Sequence, residues 1–307
     1  MYQETIEKTF EVESPAKLKV SNVRGKIDIQ PGEDGVIAVS AVKHLNSGSN
    51  NHTEVTIEQT EDGQVVVKTE YANSIADWFG LNRPCKVDYA VRVPKNCTIR
   101  ASGVSSEISI RDLDGAFDIS SVSGNVNLNN LAGPVKVGTV SGPIKAEKIT
   151  GALDANSVSG SIRVNESQTP DALMKTVSGQ IVLQTPLGDG PYMFKSVSGD
   201  VTLVVPGDTG CVAHYKSVSG RLKTSLPITK DQRYGSRGLV EIRNGGPEVT
   251  HKSVSGFLRI VTSEDEKIIE QPVPSNPPHQ TKNQLEILQK IESGELSVED
   301  ALNQLNA

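Results

Sequence analysis

The chain has 307 residues, of which 36% are hydrophobic and only 4% aromatic, so its core must consist mainly of aliphatic side chains. The formal net charge is −6, with 31 Lys and Arg against 37 Asp and Glu and no basic block, which argues against nucleic acid as a partner. No run of about 18 apolar residues occurs and the first residues do not resemble a signal peptide, so we expect a soluble, cytoplasmic protein without a transmembrane segment.

The three cysteines, Cys85, Cys97 and Cys211, form an odd set without C-x-x-C spacing. This argues against a disulfide framework and against a zinc site. We expect reduced, buried thiols, while a pairing of Cys85 with Cys97 across a hairpin stays open.

The first predicted elements lie in residues 1–29. Leu18 and Val20 alternate with polar residues, and residues 23–29 then follow the pattern Φ-x-G-x-Φ-x-Φ, in which Φ is aliphatic. The same pattern fills the centre of the chain, so residues 1–29 are predicted to hold a first, displaced copy of the repeat.

Residues 31–98 leave the repeat and are predicted to form an excursion of ordinary antiparallel strands. Residues 36–42, 55–58, 65–68 and 87–93 alternate in hydrophobicity, which is typical of half-buried strands. Trp78 and Phe79 lie between the last two. They are interpreted either as a cap on the open end of the core or as an exposed aromatic patch for a partner.

Residues 104–166 are seven successive nine-residue repeats whose common pattern is Φ-x-G-x-Φ-x-Φ-x-x, with glycine in the last six. The last two Φ residues are two apart, so their side chains share one face of a strand, and glycine is expected to supply a positive φ where the chain turns a corner. Alternate repeats carry V-S-G, so one solenoid turn comprises about 18 residues, two strands and six inward apolar side chains. The glycines concerned are Gly115, Gly124, Gly133, Gly142, Gly151 and Gly160.

Beyond residue 166 the V-S-G motif recurs at Val177, Val197, Val218 and Val254, with longer spacings that are expected to place extra residues in loops. A lysine stands two residues before each of these valines: Lys175, Lys195, Lys216 and Lys252. If the turns stack in register, the lysines lie about 4.8 Å apart. They form a candidate binding strip for an anionic glycan, a lipid headgroup or an acidic peptide; the alternative is a solvated edge that discourages aggregation.

The end of the chain changes character. Residues 263–281 are polar and rich in proline, which indicates a linker. Residues 282–307 are predicted to form two helices, the first ended by Gly294 and the second opened by a capping box at Ser297. Their apolar residues, Leu285, Leu288, Ile291, Leu302 and Leu305, are candidates for self-association or docking.

Catalytic and metal-binding patterns are weak. The corner residues offer no ladder of Asp ligands for calcium, and the five histidines have no metal-ligand spacing, although His251 falls in an inward slot. The outward strand positions show no paired carboxylates. The repeated V-S-G serines lack a G-x-S-x-G elbow, which favours a role in corner geometry. No cofactor, metal or catalytic residue is therefore assigned.

The V-S-G repeats, the strand of residues 89–95 (YAVRVPK) and the N-G-G-P segment at 244–247 together resemble bacterial adhesin-like β-helix domains, a family of unknown function. The resemblance covers residues 1–262 and implies a right-handed single-stranded β-helix. The tail, with residues 291–301, resembles the short helical domains of Lia-type cell-envelope stress proteins, which implies a role in envelope stress or surface association.

The expected fold is therefore mainly β: a right-handed β-solenoid of about 18 residues per turn, with an antiparallel N-terminal excursion and a small C-terminal helical hairpin. The expected function is that of a non-enzymatic scaffold, which binds a protein partner, a further copy of the chain, an anionic glycan or a membrane surface. A carbohydrate-active β-helix enzyme is the alternative.

Overall fold

The computed structural model describes residues 2–45, 53–71, 85–235 and 237–265. These residues confirm the predicted mainly β solenoid, since nearly all regular structure in them is strand. Trp78, Phe79 and the predicted helices of the tail lie outside the described residues. The chain divides into two compact units, residues 1–137 and residues 138–307.

The first unit begins with long strands and continues with shorter ones. They are β1 Tyr2–Glu11, β2 Ala16–Pro31, β3 Val36–Leu45, β4 Thr53–Gln59, β5 Val65–Tyr71, β6 Lys86–Val93, β7 Cys97–Asp114, β8 Phe117–Ser121 and β9 Val126–Ala132. The next strand, β10 Val135–Thr139, contains the boundary between the units.

Parallel pairing in the first unit follows the predicted repeat. In β7, Ile99 lies opposite Phe117 of β8 and Ile108 lies opposite Val126 of β9, each 18 residues later. The period read from the V-S-G spacing is therefore the period of the stack.

The strands between residues 36 and 93 differ from the predicted excursion in one respect. β3 pairs antiparallel with β1 and β6, and β4 pairs antiparallel with β5. β5 and β6 also pair parallel with β2, which pairs parallel with β7 on its other side. This segment therefore adds strands to the solenoid sheet as well as antiparallel neighbours of its own.

The second unit has two sets of short strands that alternate along the chain. They are β11 Ile144–Thr150, β12 Leu153–Ser157, β13 Ile162–Asn165, β14 Ala172–Thr176, β15 Ile181–Gln184, β16 Tyr192–Ser196, β17 Val201–Val204, β18 Cys211–Lys216, β19 Leu222–Thr224, β20 Ile228–Tyr234, β21 Arg237–Ile242, β22 Glu248–Ser253 and β23 Leu258–Val261. One face is formed by β12, β14 and β16, and another by β11, β13, β15 and β17, all in parallel pairing.

The last turns of the second unit do not stack in chain order. β16 pairs with β22, and β22 pairs with β18, so β22 lies between two strands that precede it in sequence. On the other face β23 lies in the same way between β17 and β19. The predicted strand in the long insertion is half of a hairpin, in which β20 pairs with β21 and β21 pairs with β18.

The core of each turn is a layer of aliphatic side chains, as predicted. Residues 144–161 bury six of them: Ile144, Ala146, Ile149, Leu153, Ala155 and Val158. Full burial of these six side chains stabilises a turn by at most about 9–18 kcal/mol, which is less than the cost of about 18–36 kcal/mol for ordering its 18 residues. A turn is stable only when neighbouring turns cover it.

The predicted reason for the repeated glycines is right at only one of the two corners. Gly115, Gly133 and Gly151 have φ values of 140°, 122° and 137°. Gly124 and Gly160, in the V-S-G corner, do not have positive φ. A Cβ atom on Gly160 would instead lie 2.1 Å from the backbone oxygen of Gly142, so this corner needs glycine because adjacent turns touch there.

A buried hydroxyl before the valine completes the V-S-G corner. Gly179 donates its backbone N–H to Thr176 Oγ1 at 2.9 Å, and Gly220 donates to Ser217 Oγ at 2.7 Å. The motif is therefore Ser or Thr followed by V-S-G, and the hydroxyl satisfies a backbone donor that would otherwise be buried without a partner.

Candidate functional site

The four predicted lysines lie side by side on one face of the second unit. Lys175 is opposite Lys195 and Lys195 is opposite Lys252. Lys252 is in turn opposite Lys216. The predicted register is confirmed, but the order in space is 175, 195, 252, 216, because β22 lies between β16 and β18.

A fifth cation, missed by the sequence reasoning, extends the row. Arg237 of β21 is opposite Lys216. The antiparallel hairpin brings it there, and no V-S-G motif marks its position. We call the five residues Lys175, Lys195, Lys252, Lys216 and Arg237 the basic row. With strands about 4.8 Å apart, it is about 19 Å long.

The basic row is accessible and has no acidic partner within the described part of the chain. Lys216, Lys252 and Arg237 are exposed, and Lys175 and Lys195 are half-buried. Among the residues described, no ion pair or hydrogen bond involves any of the five side chains. Adjacent unit charges at this spacing repel by close to 1 kcal/mol in water, so the row is an electrostatic cost to the free protein.

Both ends of the basic row are uncharged. Asn156 is opposite Lys175 at one end. Tyr234 is opposite Arg237 at the other end, and its side chain is 88% exposed. An exposed phenol ring at the end of a cationic row offers an apolar face and a hydroxyl to a ligand that continues past Arg237.

Two further rows share this face. Two residues from the basic row lie Leu173, Met193, Thr250, His214 and Leu239, which are mainly apolar and partly exposed. Acidic side chains occur two residues further, at Asp171, Glu248 and Glu241. Since four residues of strand span about 13 Å, these acids lie well away from the basic row.

The V-S-G serines have the geometry of corner residues. Ser123 Oγ donates to the carbonyl oxygen of Val104 at 3.1 Å, and Ser159 Oγ donates to that of Val140 at 3.3 Å. Each hydroxyl thus bonds to the preceding turn, which supports the structural interpretation of the motif.

His251 and the three cysteines are buried. His251 lies in the core between Phe194 and Tyr215, as predicted, and desolvation by burial lowers its pKa to about 4. All three cysteines are free and buried, and burial raises the pKa of Cys97 to about 12 and that of Cys211 to about 11. Within the described ranges no group of three His, Cys, Asp or Glu side chains is arranged to hold a metal ion.

An open cleft of about 920 Å³ lies in the first unit. Its lining includes Glu11, Glu13, Glu61 and Asp62, with Lys17 as the basic member. This acidic lining disfavours an anionic ligand, so the cleft does not compete with the basic row. In the part of the chain that is described, no helix is long and apolar enough to cross a membrane.

Comparisons with known proteins concern the fold. A family model described as Toastrack DUF4097 matches residues 16–260, and no curated protein matches the chain. A candidate cell adhesion protein from Clostridium sporogenes is similar at 13% identity and a TM-score of 0.27, over 85% of this chain and 100% of that one. A candidate adhesin from Parabacteroides distasonis is similar at 12% identity and a TM-score of 0.41, over 84% and 97%.

Proposed function

The chain belongs to the Toastrack family DUF4097, and on that premise we propose that it is a non-enzymatic solenoid scaffold that binds an acidic polysaccharide along the basic row. The observation that carries this proposal is the register of five cations on adjacent strands. A linear polyanion laid across the strands would neutralise all five at once and relieve their mutual repulsion.

A linear ligand fits this face better than an anionic membrane. A flat anionic surface against the whole face would meet the three acids as well as the five cations, which leaves a net charge of only +2. A polymer confined to the basic row meets +5, because the acids are about 13 Å away and the Debye length at physiological salt is about 8 Å.

A polysaccharide also fits better than an acidic peptide. An extended peptide places the carboxylates of one face about 6.6 Å apart, which does not match cations about 4.8 Å apart. The groups beside the row, Thr250, His214 and the exposed Tyr234, can donate hydrogen bonds or offer a ring face to sugars.

The test replaces the two central lysines, Lys195→Gln with Lys252→Gln, and measures binding to polygalacturonate. Each lost cation at an anionic surface weakens binding by about 1 kcal/mol, so the double variant should bind about 30-fold more weakly. The matched control is Lys136→Gln with Lys145→Gln, which removes the same charge from two exposed lysines outside the row and should bind almost normally.

Equal binding by the two double variants would show that the basic row does not contribute to polygalacturonate binding. Two further arms separate the ligand classes: poly-L-glutamate for acidic peptides and vesicles of equimolar phosphatidylserine and phosphatidylcholine for membranes. Tighter, row-dependent binding to either would replace the polysaccharide as the ligand. A fall in the polymer's chain length during incubation would contradict the non-enzymatic assignment.

A further inference from the structure

The hairpin strand β20 is exposed along its whole length and has one free edge. All seven of its residues, Ile228–Tyr234, are exposed. Its partner is β21, and no other strand in the described part of the chain pairs with it. Ile228 and Tyr234, at 39% and 88% exposure, are two of the six exposed large hydrophobic side chains among the described residues. A free strand edge of this kind is a template for a further strand.

The backbone groups of residues 231 and 233 point towards this free edge. Arg233 donates its backbone N–H to the carboxylate of Asp231, with the nitrogen 3.1 Å from Oδ1, so this N–H is not bonded to β21. Residues of an antiparallel strand turn their N–H and C=O groups alternately to the neighbour on one side and to the neighbour on the other. Asp231 and Arg233 therefore offer backbone groups to a new strand, while Gln232 between them turns its groups to β21.

The side chains of β20 are complementary to the same strand running in the opposite direction. In an antiparallel pair of two β20 strands centred on Gln232, Asp231 of each copy lies opposite the partner's Arg233, and Lys230 lies opposite the partner's Tyr234. The outward backbone groups of residues 231 and 233 meet in the same register. A shift of the centre by one residue sets Asp231 against Asp231 or Arg233 against Arg233, and like charges directly opposite each other are destabilising.

We propose that the free edge of β20 is a docking surface for a second copy of this chain, which adds its own β20 antiparallel about a two-fold axis at Gln232. On one side of the joined strands, two Asp231 and two Arg233 side chains alternate in sign. The ion pair within each copy, in which Arg233 Nε lies 2.8 Å from Asp231 Oδ1, is retained. On the other side each Tyr234 ring lies beside the partner's Lys230, which favours a cation–π contact.

The backbone hydrogen bonds of the edge change partners when the two copies meet. The Arg233 N–H passes from the carboxylate of its own Asp231 to the carbonyl oxygen of the partner's Asp231, and the carboxylate is left to the two guanidinium groups. Because the contact is two-fold and uses the same edge of both copies, it is closed, and association stops at the dimer.

The order of charges along β20 favours attraction over protection of the edge. Charged residues on an edge strand commonly prevent pairing, and a run of lysines alone would do so. In β20 the acid and the cation are two residues apart, so reversal of the strand brings opposite signs together. One short strand makes a small interface, below the ~1,200 Å² that marks weak and transient complexes, so we expect a reversible dimer that forms as the protein concentration rises.

The first test measures the mass of the full chain by sedimentation equilibrium from micromolar to near-millimolar concentration. The mass should rise from 32.8 kDa towards twice that value. Asp231→Arg alone and Arg233→Asp alone each place like charges in both cross-strand pairs, so each variant should dimerise about tenfold more weakly or less still. An equimolar mixture of the two variants should dimerise like the unchanged chain, because every pair across the edge then has opposite signs.

The second test determines the register by mild oxidation. Gln232→Cys sets two thiols directly opposite each other at the axis, at a Cα separation that a disulfide spans, so a covalent dimer should form. Lys230→Cys is the matched control, because its two thiols are four residues apart along the joined strands, about 13 Å, and should not be linked. The natural cysteines are buried and should not compete.

Four outcomes would overturn the proposal. The chain could stay at 32.8 kDa over the whole range, or the mixture of variants could associate no better than either variant alone. Dimerisation that both single variants retain would place the contact elsewhere in the chain. Masses well above twice the chain mass would show that β20 pairs with a different edge of the next copy, and linkage through residue 230 in place of 232 would show a register that sets Lys230 against Lys230.

Discussion

A methyl group on Gly199 would lie 2.0 Å from the backbone oxygen of Gly179 on the adjacent turn. Such a contact forces two stacked backbones apart. Gly138 provides the opposite case, because nothing lies within 4 Å of the position its Cβ would take and its φ is not positive. Close approach of the adjacent turn therefore requires glycine at residue 199, whereas neither close packing nor a positive φ requires it at residue 138.

Gly199→Ala should lower the free energy of unfolding by about 3 kcal/mol, at the upper end of the cost of overpacking. Gly138→Ala should be neutral or stabilise by about 0.5–1 kcal/mol, because alanine loses less chain entropy than glycine in a strand. Urea denaturation of both variants is the measurement. A Gly199→Ala protein as stable as the parent would show that the turns can separate without cost.

His251 links stability to pH. Its pKa is lowered from 6.5 to about 4, chiefly by desolvation, and the charge of Asp200 opposes this only in part. Because the unfolded state takes up the proton at higher pH than the folded state, stability is unaffected above pH 6.5 and falls as the pH drops towards 4. A shift of about 2.5 pH units corresponds to about 3 kcal/mol.

His251→Phe should remove this part of the pH dependence, because phenylalanine keeps an aromatic ring between Phe194 and Tyr215. The measurement is urea unfolding at pH 7 and at pH 4.5 for both proteins. If the two proteins lose the same stability between these pH values, His251 is not the group responsible. The carboxylates that titrate in this range are common to both and cancel in the comparison.

At the level of single residues, the sequence predicted which positions face the core more reliably than it predicted the physical reason for the residue type at a corner. The inward slots of Ile144, Leu153 and His251 follow from alternation alone, since a strand has only two faces. The reason for glycine at position 160 does not follow, because close approach of the neighbouring turn depends on the three-dimensional stack. The hydroxyl at Thr176 could have been found, since Ser or Thr precedes Val-Ser-Gly at every later repeat.

Among the strands, the order β16, β22, β18 is the feature that decides the arrangement of the basic row. It can be tested by oxidative cross-linking. Cysteines at residues 195 and 252 are on adjacent strands about 4.8 Å apart, within the range of Cα separations that a disulfide spans. Cysteines at residues 195 and 216 are two strands apart, about 9.6 Å, and are out of range.

Lys195→Cys with Lys252→Cys should therefore form a disulfide under mild oxidation, and Lys195→Cys with Lys216→Cys should not. Mass spectrometry of unreduced peptides distinguishes the two. The reverse result would show that the turns stack in chain order. The natural cysteines are buried and should not compete.

This order could not be predicted from the repeat. The V-S-G motif gives the register of each turn against its neighbour but not the identity of that neighbour, because all the motifs are alike. The spacing of 36 residues between Val218 and Val254 indicates an insertion. The repeat pattern allows the strand that follows the insertion to pair either beyond β18, in chain order, or between β16 and β18. Arg237 was missed for a related reason, since an antiparallel hairpin carries no repeat signal.

Over the whole molecule, the net charge of −6 hides an uneven distribution. Residues 138–265 contain 14 Lys and Arg and 12 Asp and Glu, a net +2, whereas residues 1–137 carry a net −4 and residues 266–307 a net −4. The composition disfavours a broad basic surface of the kind that binds nucleic acid. It could not show a single row of cations, because that row exists only once strands from residues 172 to 253 lie side by side.

The insertion of β22 and β23 between earlier strands also bears on how the stack opens and closes. A repeat stack in chain order loses structure one turn at a time from its terminus. Here the final strand pair is hydrogen-bonded on both sides, so peeling it away breaks two ladders and leaves the turn of β18 and β19 without its parallel neighbour. Fraying from the C-terminal side of the solenoid is therefore suppressed, and during synthesis this end cannot close until residue 261 has left the ribosome.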